Sequence, residues 1–306
     1  IGYKIVEIMI EAGVPNGVIN FVPGSGAEIG KTIIESKEVA GIVFTGSREV
    51  GYRLMGESSK TKPRPVIAEL GGKNATIVTD TSNLDMAAEG VAKAAFSFSG
   101  QKCSACSRVY VQRNVKSQFL SRLVEKTKKL RVENPKSRES FVGPVINLNA
   151  YNNFKKYSKL ASKHGNILAG GSVLQSEEFR HGFYVEPTIV DGLPTRHPLL
   201  KKELFVPILC ITEYDKFDNA IKMTNESEYG LTSGIYSNKR EEILKFLQDI
   251  EAGVVYVNRK KSSTTGAMVG RQSFGGWKDS GTTGKGTGGR YYLTQFMREQ
   301  SQTVVE

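Results

Sequence analysis

Short apolar runs alternate with amphipathic helical stretches through most of this 306-residue chain. No other feature constrains the fold as tightly. Residues 5–12 read as the end of an amphipathic helix. Residues 18–22 read as a strand running into the glycine-rich turn Pro23-Gly24-Ser25-Gly26-Ala27-Glu28-Ile29-Gly30. A helix through Ser36, a strand over 41–44, the turn Thr45-Gly46-Ser47 and another helix follow. That βαβ rhythm predicts a parallel sheet with ligands at the carboxyl ends of its strands. A strand over 66–69 then enters a two-glycine turn.

A second alternation begins at Asn74. It predicts a strand over 75–78, a helix over 85–98 ending at Gly100, a strand over 108–111 and a helix over 116–130. Helices over 150–164, 217–225 and 241–249 interleave with strands over 184–190, 207–213 and 253–258. A polar tract with nine glycines from Gly266 to Gly289 comes next. The tail, 296–305, reads as an edge strand offered to a partner subunit.

Composition narrows the function classes. With 39% hydrophobic and 24% charged residues the chain reads as a soluble globular protein. No uninterrupted apolar stretch reaches membrane-spanning length. Ile1 is not an initiator methionine, and the opening residues do not read as a signal peptide. The net charge of +11 is spread over helical faces such as 116–131, without an arginine-rich arm or zinc-finger spacing. It suits anionic small molecules such as dinucleotides or amino-acid carboxylates rather than nucleic acid. Cys103, Cys106 and Cys210 form a sparse, odd set, so a reducing, cytoplasmic setting is expected in place of a disulfide framework.

Individual motifs are weak alone. Gly24-Ser25-Gly26-Ala27-Glu28-Ile29-Gly30 has one residue too many for GxGxxG, and Gly30-Lys31-Thr32 misses a P-loop by one position. A glycine turn between strand and helix still suits a phosphate. Cys103 stands among small residues, after Gly100, which permits close backbone approach, and Lys102, whose charge would favour thiolate. Cys103 and Cys106 form one CxxC without a second, and His164, His181 and His197 show no ligand spacing, so no metal is expected. Glu69, after an apolar strand, gains pKa if partly buried and then suits general-base work.

In order, the glycine loop, Phe44-Thr45-Gly46-Ser47, Glu69-Leu70-Gly71-Gly72-Lys73, Gly100-Gln101-Lys102-Cys103, Gly143-Pro144-Val145-Ile146, Glu186-Pro187-Thr188, Glu203-Leu204-Phe205, Tyr229-Gly230-Leu231-Thr232 and Ser273-Phe274-Gly275-Gly276 run through the chain. Together they resemble the carboxy-terminal part of the aldehyde dehydrogenase superfamily. The resemblance implies an α/β fold: a partial Rossmann-type NAD(P)-binding domain over 1–71, a catalytic domain over 72–290 and a tail over 291–306 serving as oligomerisation strand.

It also implies that Cys103 is the nucleophile and Glu69 the base for thioester hydrolysis. Gly26, Gly30, Ser47, Gly71, Glu203 and Phe205 would meet NAD, or NADP. Val206 stands where the family usually has glycine. Lys102 to Arg108 and Thr265 to Gln272 resemble the Δ1-pyrroline-5-carboxylate dehydrogenases, which oxidise glutamate γ-semialdehyde to glutamate in proline breakdown. By that likeness Ser104, Gly266 and Ala267 hold the substrate carboxylate and Phe274 walls its aliphatic stem.

Family members extend farther at the amino end. The strand gripping the adenosine ribose and an asparagine completing the oxyanion hole are therefore expected ahead of Ile1. A homo-oligomer or a complementing amino-terminal half is the expected partner, with neither membrane nor nucleic acid, in the cytoplasm or, for a eukaryotic protein, the mitochondrial matrix. Three competing readings stay open: a truncated, catalytically silent subunit acting in assembly, a dehydrogenase for another semialdehyde, and a P-loop phosphotransferase.

Overall fold

The computed structural model describes residues 1–259 and 272–306. They form two units, one of residues 1–42 with 52–66, the other of 43–51 with 67 onward. The chain opens with α1 (Gly2–Glu11) and α2 (Gly26–Glu35), neither of which buries a residue. Ser25 caps α2: its Oγ accepts from Glu28 N at 3.2 Å and donates to the Glu28 carboxylate at 3.0 Å. At the other end of α2 the Arg64 guanidinium collects the carbonyls of Ile33, Ile34, Ser36 and Val39 at 2.6–3.2 Å. The carbonyls of Ile33, Ile34 and Ser36 are among the acceptors a helix terminus leaves open, and Val39 lies beyond it.

Next come β1 (Ile42–Thr45), α3 (Arg48–Thr61) and β2 (Val66–Glu69), with β1 and β2 paired in a two-stranded sheet. Residues 18–22 form no strand, contrary to their pattern. Val18 N turns back to Pro15 O and Asn20 Nδ2 to Gly17 O. An apolar run becomes a strand only where another strand offers the ladder, and none is offered there.

The rest of the chain runs β3 (Asn74–Val78), α4 (Leu84–Phe96), β4 (Cys106–Gln112), α5 (Lys116–Lys128), α6 (Leu148–His164), β5 (Asn166–Ala169), β6 (Thr188–Asp191), α7 (Pro198–Lys201), β7 (Ile208–Tyr214), α8 (Phe217–Asn225), β8 (Tyr229–Gly230), β9 (Thr232–Tyr236), α9 (Arg240–Asp249), β10 (Val254–Val257) and β11 (Trp277–Lys278). Seven strands make one sheet in the order β10-β9-β3-β4-β7-β6-β5, parallel throughout except for β5 against β6. The mixed α/β architecture with a mainly parallel sheet is the fold class the sequence predicts.

Strand alternation explains how the sheet carries two cores. Val78, Val109 and Val111 face the cluster with Ala88, Val91 and Phe119 of α4 and α5. Their neighbours Ile77 and Tyr110 face the opposite cluster with Ala220 and Phe246 of α8 and α9. α4 is alanine-rich, so it lies close to β4 and α5. Asn83 starts it, accepting from Met86 N at 3.0 Å.

The helix stops two residues before the predicted 98, because Ser97 is extended at ψ 142° and Phe98 and Ser99 then turn left-handed at φ 55° and 56°. The strand expected over 184–190 is shorter and later, as β6, while Val185 makes only an isolated bridge to Val173. Residues 297–306 carry no strand within this single chain and are exposed. Among the described residues no helix is long and apolar enough to cross a membrane.

Candidate active site

At the end of β2 the backbone is pinned on both sides. Gly46 N donates to Glu69 O at 3.2 Å, Leu70 N donates to Ser280 O at 2.9 Å, and Ser280 Oγ donates to Gly71 O at 2.6 Å. Of the two glycines that follow, Gly72 is sterically required, and Gly71 leaves room for the Glu203 carboxylate where it stands. A Cβ on Gly71 would collide with the Glu203 carboxylate, and one on Gly72 with the carbonyl of Cys103. In the space so left, Gly72 N donates to Glu203 Oε1 at 2.9 Å.

Asn74, at the start of β3, holds the other side of the loop. Its Nδ2 donates to Cys103 O at 2.7 Å and Ala105 O at 2.9 Å, while its Oδ1 accepts from Thr232 N at 2.9 Å. The buried Arg108 donates Nε and Nη2 to Lys73 O at 3.0 and 2.6 Å. The sequence reading gave neither residue a role. The available signal was a polar residue opening an otherwise apolar strand.

A cavity of about 720 Å³ brings together Ser47, Gly71, Cys103, Ser104, Glu203, Phe205 and Phe274, with Thr45, Gly46, Leu70, Gln101 and Lys102. Seven of the sequence-derived candidates therefore share one wall. Ser47 stands just ahead of α3, and its Oγ accepts from Val50 N at 3.4 Å. Phe274 is fixed by two backbone bonds with Thr287, at 3.0 and 2.7 Å. Gly26 and Gly30 lie on α2 and do not line this cavity; a Cβ on either would meet nothing within 4 Å. Gly266 and Ala267 fall outside the described residues.

Val206 replaces glycine without carrying a special backbone. The left-handed residue is Phe205, at φ 55°, and the Val206 side chain is buried beside Leu204 and Ile208.

The cavity forms where the carboxyl ends of β1 and β2 face the segments leading into the amino ends of β3, β4 and β7. The expectation of ligands at carboxyl ends therefore holds for the small sheet and is reversed for the large one. Cys103 comes from the loop entering β4 and Glu203 from the stretch before β7, while Glu69, at the end of β2, is not among the residues lining the cavity.

Electrostatics divide the acids and thiols. Burial pushes the Glu69 carboxyl up to about 7, against a weaker pull from the Gly276 N–H. Its Oε2 is buried without a hydrogen-bond partner. Burial also raises the Cys103 thiol, Glu203 and Glu69 push it further, and the N–H groups of Ser104 and Cys103 draw it down. The expected help from Lys102 is not what dominates. Burial disfavours the Lys102 charge, and its ammonium stands 5.1 Å over the Phe98 ring.

Cys106 and Cys210 are buried, and all three thiols are free. Cys106 Sγ lies 3.3 Å from Thr76 Oγ1, which makes it a packing residue. Among the described residues no cluster of three or more His, Cys, Asp or Glu side chains suits a metal.

Comparison with known proteins identifies the family. The aldehyde dehydrogenase family pattern matches residues 1–302. The chain is 40% identical to the 1-pyrroline-5-carboxylate dehydrogenase of Anoxybacillus flavithermus, over all of this chain and 58% of that one. It is likewise 40% identical to the Staphylococcus haemolyticus protein of the same name, over 97% of this chain and 57% of that one.

Among solved structures, 1-pyrroline-5-carboxylate dehydrogenase from Thermus with bound NAD superposes with a TM-score of 0.89 at 36% identity, covering 96% of this chain and 56% of that one. Proline utilization A from Bdellovibrio bacteriovorus gives 0.91 at 38%, covering 97% and 31%. The chain thus spans about 58% of the length of the first of these relatives, and it belongs to the aldehyde dehydrogenase family.

Proposed function

We propose that this chain carries the catalytic region of a nicotinamide-dependent aldehyde dehydrogenase whose substrate is a carboxylate-bearing semialdehyde, glutamate γ-semialdehyde before others. One observation carries the reading: Cys103 opens on a cavity of about 720 Å³ while the Glu69 carboxyl, buried, unpartnered at Oε2 and raised to about 7, stands close enough to perturb it.

In the proposed sequence the Cys103 thiolate adds to the aldehyde carbon and the carbonyl oxygen takes the negative charge. The Cys103 N–H supplies one donor for that oxyanion. Departure of hydride leaves a thioester on Sγ. Glu69 then removes a proton from water as it attacks the thioester carbonyl, and the carboxylic acid leaves with the thiol regenerated. Burial suits Glu69 to this step, since a carboxyl near 7 alternates between its forms at neutral pH. Ser104, Gly266 and Ala267 are the proposed anchors of the substrate carboxylate, with Phe274 against its stem.

The cavity fits the nicotinamide end of a dinucleotide. Ser47, before α3, is proposed to offer a hydroxyl and a helix amino terminus to the diphosphate. The Glu203 carboxylate, held on Gly72 N at 2.9 Å, is proposed to accept from a ribose hydroxyl. When bound, NAD supplies the hydride acceptor. The likeness to the NAD-bound Thermus structure favours NAD over NADP. Gly26 and Gly30 are proposed as further cofactor-binding positions. Residues 1–71 are proposed as part of the cofactor domain, 72–290 as the catalytic domain and 291–306 as an oligomerisation segment in a homo-oligomer or beside a complementing chain.

The test is NADH absorbance with glutamate γ-semialdehyde, comparing purified chain of verified mass with Cys103→Ala. Turnover that the substitution abolishes supports the reading. Turnover that survives it removes Cys103 from the chemistry. Absence of turnover in the unaltered chain would favour the catalytically silent alternative.

A further inference from the structure

Just ahead of Cys103 the backbone enters a conformation found nowhere else among the described residues. Three consecutive residues, Phe98, Ser99 and Gly100, are left-handed, at φ 55°, 56° and 67°. Side chains with a Cβ enter that region only against steric resistance, so surrounding structure must hold them there. Glycine is needed at the third position, where a Cβ would stand 2.7 Å from Val206 O.

Two side chains do the holding, and both reach the same segment. Ser99 is 1% exposed and donates Oγ to Gly143 O at 2.7 Å. Gln101 spans the turn with its amide: Oε1 accepts from Ile146 N at 2.9 Å and Nε2 donates to Phe98 O at 3.3 Å. The segment is itself anchored, since Val145 is 2% exposed and its N–H donates to Phe183 O at 2.9 Å. Beyond the clasp the next fixed point is Cys103 O, taken by Asn74 at 2.7 Å. The nucleophile therefore rides on a short span tied at both ends.

We propose that Ser99 and Gln101 are positioning residues that clasp the left-handed turn 98–100 to the Gly143–Ile146 backbone and thereby set where Cys103 Sγ stands on the cavity wall. The proposal rests on the assignment of Cys103 as nucleophile, but its placement of the thiol can be read without any turnover. Releasing either bond lets the strained turn relax and frees one end of the span. The thiol then leaves the wall for a wetter, less defined position. Misplacement by about an ångström lowers a reaction that depends on near-attack geometry by about 100-fold.

The experiment compares Ser99→Ala, Ser99→Gly, Gln101→Leu and Gln101→Glu in the full chain, with thermal unfolding as a check on folding. Iodoacetamide alkylation of Cys103 is followed across pH by mass spectrometry. Burial is the largest influence raising this thiol, so release should move the alkylation midpoint down toward an ordinary cysteine. In the same variants kcat for the aldehyde should fall about 10- to 100-fold with a smaller change in KM.

Glycine tolerates the left-handed backbone without cost, so Ser99→Gly should lie between wild type and Ser99→Ala. Gln101→Glu keeps an acceptor for Ile146 N and should be milder than Gln101→Leu. A merely structural role would lower the unfolding temperature and leave the midpoint of the folded protein in place. That result in both Ser99→Ala and Gln101→Leu overturns the proposal; if Ser99→Ala does not fold, Gln101→Leu decides it. Turnover that persists in Cys103→Ala would instead defeat the nucleophile assignment, and the alkylation midpoints would still decide the clasp.

Discussion

α1 and α4 look alike as sequence patterns and differ completely as packed structures. α1 presents Tyr3, Ile5, Ile8 and Ile10 at relative exposures of 49–61% and buries nothing. α4, of similar apolar content, buries Ala87, Ala88, Val91, Ala92 and Phe96 to 2% or less. Periodicity tells which residues would gain from burial; only a partner surface realises the gain. In the first unit polar devices fix the ends of α2, the Ser25 cap at one and the Arg64 guanidinium at the other. The second is held by a seven-stranded sheet with a core on either face, and it carries the candidate catalytic wall.

If that contrast is real, the largest effects of substitution belong to the second unit. Phe119 is fully buried between α4, α5 and the sheet. Phe119→Ala should cost about 3–5 kcal/mol, the sum of lost transfer energy and a cavity, read from chemical denaturation. A loss under about 1 kcal/mol would mean that this core is loosely packed and the contrast with α1 is overstated.

The next effect is chemical and sharpens the difference between a carboxyl built into the packed region and a solvated one. Burial raises Glu69 to about 7, so its base form is scarce below that pH and accumulates above it. The hydrolytic step should therefore speed up as pH rises through about 7 and level off beyond. Glu69→Gln should slow that step about 10²- to 10⁴-fold, the usual contribution of a positioned base, and abolish the rise. Pre-steady-state kinetics with substrate in excess would show it as a first-turnover burst of NADH followed by slow turnover. A rise that survives the substitution would transfer the base role elsewhere, with Glu203, on the cavity wall beside Cys103, the alternative carboxylate.

How much of this was legible in the sequence differs by region for the same physical reason. The sheet's parallel character and most of its helices followed from alternating patterns, since those residues find partners. Residues 18–22 carry the same kind of pattern and form no strand. β9, which lies between β3 and β10, was not singled out, because Thr232-Ser233-Gly234 lacks an apolar run and is buried by tertiary pairing alone. At the site, Cys103, Glu69, Glu203 and Ser47 could be named because their motifs are local strings.

Asn74, Ser280 and the Ser99–Gly143 bond could not be assigned roles, since each joins residues distant in sequence and reports nothing until the chain is folded. The direction of the Cys103 shift was missed for the same reason. Lys102 is its chain neighbour, but burial and the carboxylates of Glu203 and Glu69 dominate.

The smallest expected effect tests the other side of the comparison. Ile8 is 61% exposed on α1, so Ile8→Ser removes almost no buried area in an isolated chain. It should change stability by no more than about 0.5 kcal/mol, the range of ordinary surface substitutions. Amide hydrogen exchange gives the matching readout. Backbone protection in α1 should be slight, whereas β3, β4 and β7, in the middle of the sheet, should open only with global unfolding. A cost above about 1.5 kcal/mol, or slow exchange across α1, would show that another surface covers its apolar face in solution, because burying Ile8 is the only way its loss becomes expensive. The apparent poverty of the first unit would then belong to the single chain and not to the assembled protein.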